Sequence, residues 1–433
     1  MSGTPRRRLL GAAVAAVLLV PLAACGDDGD GSTPAADSTK PVELSVFWWG
    51  GDARAKLTED ALKLYTAKHP NVTFKTTWQA NQGYFEKLAT LTAGNAAPDL
   101  FQIDDNYLTE YASRNVTLDL TSYQKSSKLD TSKFPESLWK YGVVDGKLAG
   151  VAFGENTQGL VYNKTKLTAA NQPLPTTGMT WEAYIAWAQA AGTAAKVPGT
   201  QDPSADYKAF WVWLRQQGRD LYKNKELGFT AQDVTAWFDL WKDARGKAGA
   251  TPPADVIREG NATDVTKQLV VTGKALASWV WVNQLPELQK NTKDELGVMA
   301  YPGDPKAQWA RASMYFSVSR GSDRKDVAVD VINFLVNDPE AGKILGTDRG
   351  LPSNLDVRKA VEASVTDKAM KTSIDVENTL GKSFGPSPQV PLKGHSTLRS
   401  ELIKAAESVQ TNKASSAQAA ETFIAAVKTA ISK

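Results

Sequence analysis

The sequence predicts an α/β protein of two lobes, each a mostly parallel sheet flanked by helices, with crossover hinge segments joining them. Strand and helix patterns alternate along the chain, which is typical of parallel sheets. Roughly 390 residues follow the N-terminal leader. This length exceeds what a single hydrophobic core usually stabilises, so two domains are expected. Short apolar runs flank Gly154-Glu155-Asn156-Thr157, which indicates a crossing between lobes, although an ordinary hairpin turn would show the same pattern.

The first 24 residues have the order of a secretory signal peptide. Arg6-Arg7-Arg8 precedes an apolar run that is too short to span a bilayer. The run ends in Leu22-Ala23-Ala24-Cys25-Gly26, which resembles the bacterial lipobox, in which the cysteine is lipidated and becomes the mature first residue. We therefore predict a lipoprotein signal peptide at residues 1–24 and lipidation of Cys25, the only cysteine. The arginines also fit a twin-arginine signal loosely, so the export route stays open.

Residues 25–41 are predicted to form a flexible tether, because they contain no large apolar residue up to Lys40. Residues 1–24 carry three arginines and no acid, so their removal lowers the formal net charge from +3 to zero. A neutral chain offers no basic surface for nucleic acid or anionic lipid. We expect no nucleic-acid partner, and membrane contact only through the lipid on Cys25.

The first lobe begins with an alternating strand at residues 42–47, which leads into Trp48-Trp49-Gly50-Gly51-Asp52. Helix and strand patterns follow, and a buried strand at residues 100–103 leads into Asp104-Asp105. In open parallel sheets the ligand lies beyond the carboxyl ends of the strands. We therefore expect these tryptophans and aspartates near a binding site, although Asp104 could simply cap the next helix.

Tryptophans are frequent in the predicted second lobe. Trp237 and Trp241 are four residues apart on one helix face, a spacing that favours a core position. Trp279 and Trp281 are two apart in a strand and share one face, while the neighbouring valines share the other. We expect the valines to take the core and the two tryptophans to line a surface.

Several motifs occur in an order that resembles the extracellular solute-binding proteins of carbohydrate ABC importers, family 1, the class that includes maltose-binding protein. They are the lipoprotein leader, Trp-Trp-Gly-Gly-Asp at 48–52, His-Pro-Asn at 69–71, Ala-Gly-x-x-x-Pro-Asp-Leu at 93–100, Leu-Val-Tyr-Asn-Lys at 160–164, and Gly-x-x-Ala…Trp-x-Trp-x-Asn ending at Asn283. The resemblance covers essentially the whole mature chain.

The resemblance implies a periplasmic-binding-protein-like fold with three crossings, the first at residues 156–164, the second ending in the strand at 314–318 and the third near 349–352. Lobe I would comprise residues 42–155 and 314–350, and lobe II residues 156–313 and 351–433. It also implies that Trp279 stacks on a sugar ring. Trp211 is the next aromatic residue that we expect to contact the sugar.

A sugar presents hydroxyl groups that need paired donors and acceptors, and flat C–H faces that pack on aromatic rings. The predicted polar partners are Asp52, Asp104, Asp105, Glu155, Asn156, Asn283 and Arg311. The predicted aromatic contacts are Trp48, Trp49, Tyr84, Trp211, Trp279, Trp281 and Trp309.

The alternative function is a secreted glycoside-active enzyme, because paired carboxylates beside aromatic rings also describe a glycosidase cleft. A purely structural envelope lipoprotein would not need these residues at strand ends. With two histidines and no H-E-x-x-H, G-x-S-x-G or G-x-x-x-x-G-K-[ST] motif, we predict no metal, no cofactor, no enzyme and no built-in ATPase. The expected protein is a monomer, lipid-anchored on the outer face of the cytoplasmic membrane. It would hand a mono- or oligosaccharide to a permease with a separate ATPase.

Overall fold

A computed structural model of the protein describes residues 40–256 and 265–432. The predicted signal peptide, Cys25 and the tether up to Thr39 lie outside these residues. The strands are β1 (Val42–Trp49), β2 (Val72–Gln79), β3 (Leu100–Ile103), β4 (Val143–Val144), β5 (Lys147–Leu148), β6 (Val151–Asn156), β7 (Gln158–Asn163), β8 (Tyr222–Lys223), β9 (Glu226–Leu227), β10 (Ala277–Trp281), β11 (Leu296–Met299), β12 (Arg311–Val318) and β13 (Leu351–Pro352).

The α-helices are α1 (Asp52–Lys68), α2 (Tyr84–Ala93), α3 (Asp105–Ser113), α4 (Thr121–Lys125), α5 (Glu136–Lys140), α6 (Lys164–Ala169), α7 (Trp181–Ala195), α8 (Tyr207–Gln216), α9 (Ala231–Arg245), α10 (Leu269–Thr272), α11 (Leu285–Lys290), α12 (Lys325–Asn337), α13 (Pro339–Leu345), α14 (Leu355–Ser364), α15 (Lys368–Gly381), α16 (His395–Gln410) and α17 (Ser416–Ile431). Short 3-10 helices occupy Val265–Lys267, Val282–Gln284 and Pro305–Ala307.

The larger sheet has six strands in the order β13-β6-β12-β3-β1-β2. Strand β1 pairs in parallel with β2 and β3, whereas β12 runs antiparallel to β3 and β6. Apolar clusters cover both of its faces, one with α1 and α12 and the other with α2 and α3. The carboxyl ends of β1 and β3 therefore meet at one edge, where the chain passes into α1 and α3.

The smaller sheet has three strands in the order β10-β7-β11, with β7 antiparallel to both neighbours. Its largest core cluster is built from α7, α8, α9, α16 and α17 and contains Trp237 and Trp241 at 0 % exposure, as the helical spacing predicts. A second cluster with α10 and α11 covers the opposite face. Both faces of β10 are thus buried.

The crossing at residues 154–157 differs from both a loop and a hairpin. Gly154, Glu155 and Asn156 belong to β6 in the larger sheet, and Gln158 begins β7 in the smaller one, with Thr157 alone between them. Strands β6 and β7 pair with different partners, so the hairpin alternative is wrong. One continuous extended segment therefore connects the two sheets.

The segment at residues 349–352 also lies against this crossing. Gly350 has a φ of 91°, a left-handed conformation that favours glycine, and it leads into β13, which pairs with β6. A side chain on Gly154 would place its Cβ 2.5 Å from the carbonyl oxygen of Arg349. Glycine at 154 therefore permits the close approach of these chain segments.

None of the helices in the described ranges combines the length and apolar character that crossing a membrane requires.

Candidate functional site

An ion pair between Asp105 and Arg311 lies at the carboxyl edge of the larger sheet. Asp105 begins α3, directly after β3, and Arg311 begins β12. Arg311 Nε donates to Asp105 Oδ2 at 2.5 Å, and Nη2 donates to Oδ1. Their side chains are only 6 % and 1 % exposed. The two opposite charges are therefore held together away from water, as bidentate arginine–carboxylate pairs commonly are.

Helix α3 begins where the sequence predicts, because Asp104 is its N-cap. The Asp104 side chain accepts a hydrogen bond from the backbone N–H of Asn106 at 3.0 Å. Carboxylates are stabilised at a helix N-terminus by the free N–H groups there. The capping interpretation of Asp104 is thus correct, and the same cap places Asp105 opposite Arg311.

Arg311 also contacts the half of the protein built on the smaller sheet. Its Nη2 donates to the hydroxyl oxygen of Tyr207 at 3.3 Å, and Tyr207 begins α8. The guanidinium carbon lies 4.7 Å from the centre of the Trp281 ring. Lys208 Nζ lies 4.6 Å from the same ring centre. Trp281, which is half-buried, is therefore the aromatic ring at which both sheets meet.

The charges around Trp281 are largely matched. Lys208 is paired with Asp206 at 3.4 Å, as Arg311 is with Asp105. Loss of water lowers the pKa of Lys208, against the raising effect of Asp206. Loss of water and the charge of Asp105 raise the pKa of Asp104 to about 6, whereas Arg311 and Arg399 act to lower it. The arrangement suits an uncharged polar ligand better than a strongly ionic one.

Buried polar atoms without a partner gather close to the crossing. They make no hydrogen bond to another residue in the described part of the chain, and they are Thr157 Oγ1, both amide atoms of Gln158, Asn283 Oδ1 and Tyr301 Oη. Gln158 is paired with Trp281 in the β7–β10 ladder. Buried polar groups are normally hydrogen-bonded, so these atoms are available to a ligand or to water.

Some of the predicted site residues lie together at this junction. Asn156 is paired with Arg311 in the β6–β12 ladder, and Asn283 follows Trp281 by two residues. Trp281, Asp104, Asp105 and Arg311 complete the group. Trp49, at the end of β1, is instead half-buried against Tyr84 and Phe85, and no ring contact joins it to Trp281 among the described residues.

The remaining predicted aromatic residues are buried inside the two halves. Strand β1 continues through Trp48 and Trp49, beyond its predicted end at 47, and Trp48 is 0 % exposed in the core on the α1 face. Tyr84 is buried and donates to the carbonyl oxygen of Gln102 at 2.6 Å. Trp211 and Trp309 pack against each other at 4.7 Å between ring centres, both almost fully buried.

The expectation that Trp279 lines a surface is wrong. It shares a face of β10 with Trp281, as predicted, but that face packs against α7 and α9. Trp279 is 4 % exposed, stacks on Trp181 at 5.6 Å and donates from Nε1 to the carbonyl oxygen of Gln201 at 2.8 Å. Its contact with a ligand stays a prediction.

Two predicted polar residues lie apart from the junction. Asp52 is exposed at the start of α1. Glu155 accepts a hydrogen bond from Arg358 Nη2 at 2.7 Å. Successive residues of a strand face opposite sides of a sheet, so Glu155 points away from the side on which Asn156 lies.

Sequence reasoning missed Tyr207, Lys208, Gln158 and Tyr301. Helix α8 begins after Asp206, which is its N-cap and accepts a hydrogen bond from the backbone N–H of Lys208. No pattern within that segment indicates which end meets the other half of the protein. In the described residues, no three acidic, histidine or cysteine side chains gather as a metal site would require.

Residues 60–372 match the family described as bacterial extracellular solute-binding protein. The diacetylchitobiose binding protein DasA of Streptomyces coelicolor is 24 % identical over 384 residues, which are 83 % of this chain and 86 % of that protein. The lactose-binding protein of Rhizobium radiobacter is 27 % identical over 349 residues, which are 74 % and 77 % of the two chains.

The solved structure of an extracellular solute-binding protein of family 1 from Alicyclobacillus acidocaldarius is similar to this fold with a TM-score of 0.71. It is 26 % identical, and the likeness covers 92 % of this chain and 100 % of that one. The predicted two-lobed α/β fold is thereby confirmed.

Proposed function

The chain belongs to the bacterial extracellular solute-binding proteins, and we propose that it is the substrate-binding protein of an ABC transporter. It captures a mono- or oligosaccharide between its lobes and delivers it to a membrane permease driven by a separate ATPase. The mature protein is a monomer, anchored to the outer face of the cytoplasmic membrane through a lipid on Cys25. Diacetylchitobiose and lactose, which the names of two relatives carry, make sugar the first ligand class to test.

The observation that carries this proposal is the half-buried Trp281 ring beside the Arg311–Asp105 pair, where residues of both sheets meet. An aromatic ring offers a flat apolar face to the C–H groups of a sugar. The unpartnered atoms of Gln158, Asn283 and Tyr301 offer donors and acceptors for hydroxyl groups. A site that binds hydroxyls in this way rejects analogues that lack them.

The proposed lobes follow the two sheets. Lobe I, residues 42–155 and 314–350, contains nearly all of the six-stranded sheet, and lobe II, residues 156–313 and 351–433, contains the three-stranded one. A ligand that contacts both lobes binds the closed arrangement more tightly than the open one, and this difference in affinity favours closure.

A glycoside-active enzyme fits this site less well. A glycosidase needs one carboxyl group as acid and a second as nucleophile or base. Asp104 and Asp105 are the adjacent acids at the junction, but both oxygens of Asp105 accept from Arg311 and its side chain is 1 % exposed. Asp105 is therefore held as a structural counter-ion.

Titration calorimetry against a panel of mono- and oligosaccharides, with diacetylchitobiose and lactose included, tests the function. We expect saturable binding of a sugar, no binding of free amino acids and no hydrolysis product. Small-angle scattering at saturation should show a smaller radius of gyration. Binding confined to non-sugar compounds, or product formation, would overturn the proposal, and an unchanged scattering profile would count against a hinge.

A further inference from the structure

A second buried charge cluster lies where β6, α14 and α15 meet, and it takes no part in the proposed sugar site. Glu155 on β6 accepts from Arg358 Nη2 on α14 at 2.7 Å, and Arg358 Nε donates to the carbonyl oxygen of Pro352 at 3.0 Å. Glu377 on α15 is 2 % exposed. Neither oxygen of its carboxyl group has a hydrogen-bond partner among the described residues.

The cluster connects the two halves of the protein. Helix α14 packs against α13 and β13, and β13 is a strand of the six-stranded sheet. Helix α15 packs against α11 and β11 on the three-stranded side, where Ser373 Oγ donates to the carbonyl oxygen of Val282 at 2.9 Å. A Cβ on Gly381, which lies one turn after Glu377 on α15, would be 3.9 Å from Glu155 Oε1, so α15 borders the Glu155–Arg358 pair from the three-stranded side.

The charges of the cluster do not balance if both acids are ionised. One guanidinium faces two carboxyl groups, and it is already paired with Glu155. Burial, followed by the charge of Glu155, raises the pKa of Glu377 well above its usual value, against the lowering effect of Arg358. An unpaired buried carboxylate is costly, so the neutral acid is the stable form in this arrangement.

Among the residues that the structure describes, the other charged groups on the neighbouring elements do not compensate it. On α11, Glu287 and Lys290 are paired with each other at the surface at 3.7 Å. Strand β11 and the turn at Val282–Gln284 carry no charged residue. On α14, Glu362 accepts from Asn378, the residue that follows Glu377. The electrostatics of Glu377 thus depend on Glu155 and Arg358.

We propose that Glu155 and Glu377 form a proton-binding site that joins the two sheets. With the proton bound, the two halves stay in the arrangement seen here. Loss of the proton leaves a second buried negative charge beside Glu155, and α15 separates from β6 so that water reaches Glu377.

The sign of the pH effect follows from the proton count. The joined arrangement binds one proton more than an arrangement in which Glu377 meets water, so lower pH favours the joined form. Between the two pKa values of Glu377, each pH unit changes the ratio of the two forms by up to about tenfold. This effect needs no sugar, so it and the proposed function can fail separately.

Spin labels on Lys147→Cys and Lys223→Cys in a Cys25→Ser background report the separation of the halves. The labelled sites flank the turns in which Asp145 and Lys225 pair at 3.2 Å. We expect one short label distance at about pH 5 and a longer one to appear towards about pH 9. Glu377→Gln, which is neutral at every pH, should keep the short distance throughout, and the exposed Asp375→Asn on the same helix should behave as the parent.

Infrared spectroscopy of the unsubstituted protein detects a protonated carboxyl group directly. This measurement does not depend on how well a variant folds. A protonated carboxyl band at about pH 8, where Asp104 is ionised, that is absent from Glu377→Gln and present in Asp375→Asn supports the site. The proposal is overturned if the band persists in Glu377→Gln or is absent from the parent. It is equally overturned if Glu377→Gln separates with pH as the parent does, or if the parent does not separate.

Discussion

Arg311 and Asp105 form a bidentate ion pair that joins the start of β12 to the start of α3 and is almost completely removed from water. Arg311 extends from this pair to Tyr207 and to the ring of Trp281. One guanidinium thereby connects the edge of the larger sheet to the half built on the smaller one.

Removing one partner of this pair should destabilise the protein strongly. In Asp105→Asn the Arg311 charge stays buried without a counter-charge, which typically costs about 3–5 kcal/mol. Denaturant unfolding measures the loss. Glu340→Gln breaks an exposed helical pair with Lys343 and should change stability by less than about 1 kcal/mol. Equal stability of the two variants would contradict a structural role for the pair.

Trp279 and Trp281 should respond differently to truncation although they share one strand face. Trp279→Ala leaves a cavity among Trp181, Trp241 and Tyr301, so we expect a loss of about 3–5 kcal/mol of stability. Trp281→Ala should melt nearly as the parent does, and weaken sugar binding by about 1–3 kcal/mol, by analogy with bases stacked on aromatic side chains.

Melting curves and calorimetric titrations on both variants test this prediction, with Trp237→Ala as the core control. Trp237 is 0 % exposed, and its truncation should lower stability and keep affinity. A Trp281→Ala protein that binds sugar normally would remove Trp281 from the site.

Replacing Asp104 by a neutral residue should increase the free energy of unfolding. The increase should appear only at pH values above the acidic range in which Asp104 is protonated. Its pKa is raised from 3.8 to about 6, so the folded state holds this proton more tightly than the unfolded state does. The parent therefore loses stability as pH rises from about 4 to about 6, by about 3 kcal/mol for a pKa shift of roughly two units, and no further above that. Asp104→Asn keeps a capping oxygen and has no such titration.

Thermal unfolding at a series of pH values measures the difference between Asp104→Asn and the parent. Asp104→Ser, which also caps without charge, should show the same pH dependence. A constant difference at all pH values would mean that the Asp104 charge does not control stability.

Cys25→Ala should release the protein into the medium without changing its affinity for sugar, because anchor and site are separated by the predicted tether. Membrane fractionation and calorimetry on the released protein measure the two effects. Ser32→Ala in the tether serves as a control that stays attached. Firm membrane attachment of Cys25→Ala would refute the predicted lipid anchor.

The sequence by itself determined those features that depend on a few neighbouring residues. Alternation and caps located the beginning of β1 and the start of α3, and the spacing of Trp237 and Trp241 indicated a core helix face, because strand and helix periods are local properties. The ordered motifs were sufficient to identify the family. Asp105 and Arg311 were both predicted at the site.

Only the tertiary structure decided which of two equivalent positions stays partly open to water. Trp279 and Trp281 share one side of β10, yet helices cover the first more completely than the second. Glu155 and Asn156 are adjacent, and α14 supplies Arg358 to one of them only. Burial and charge pairing depend on elements that are distant along the chain and meet after folding, so no local pattern contains them.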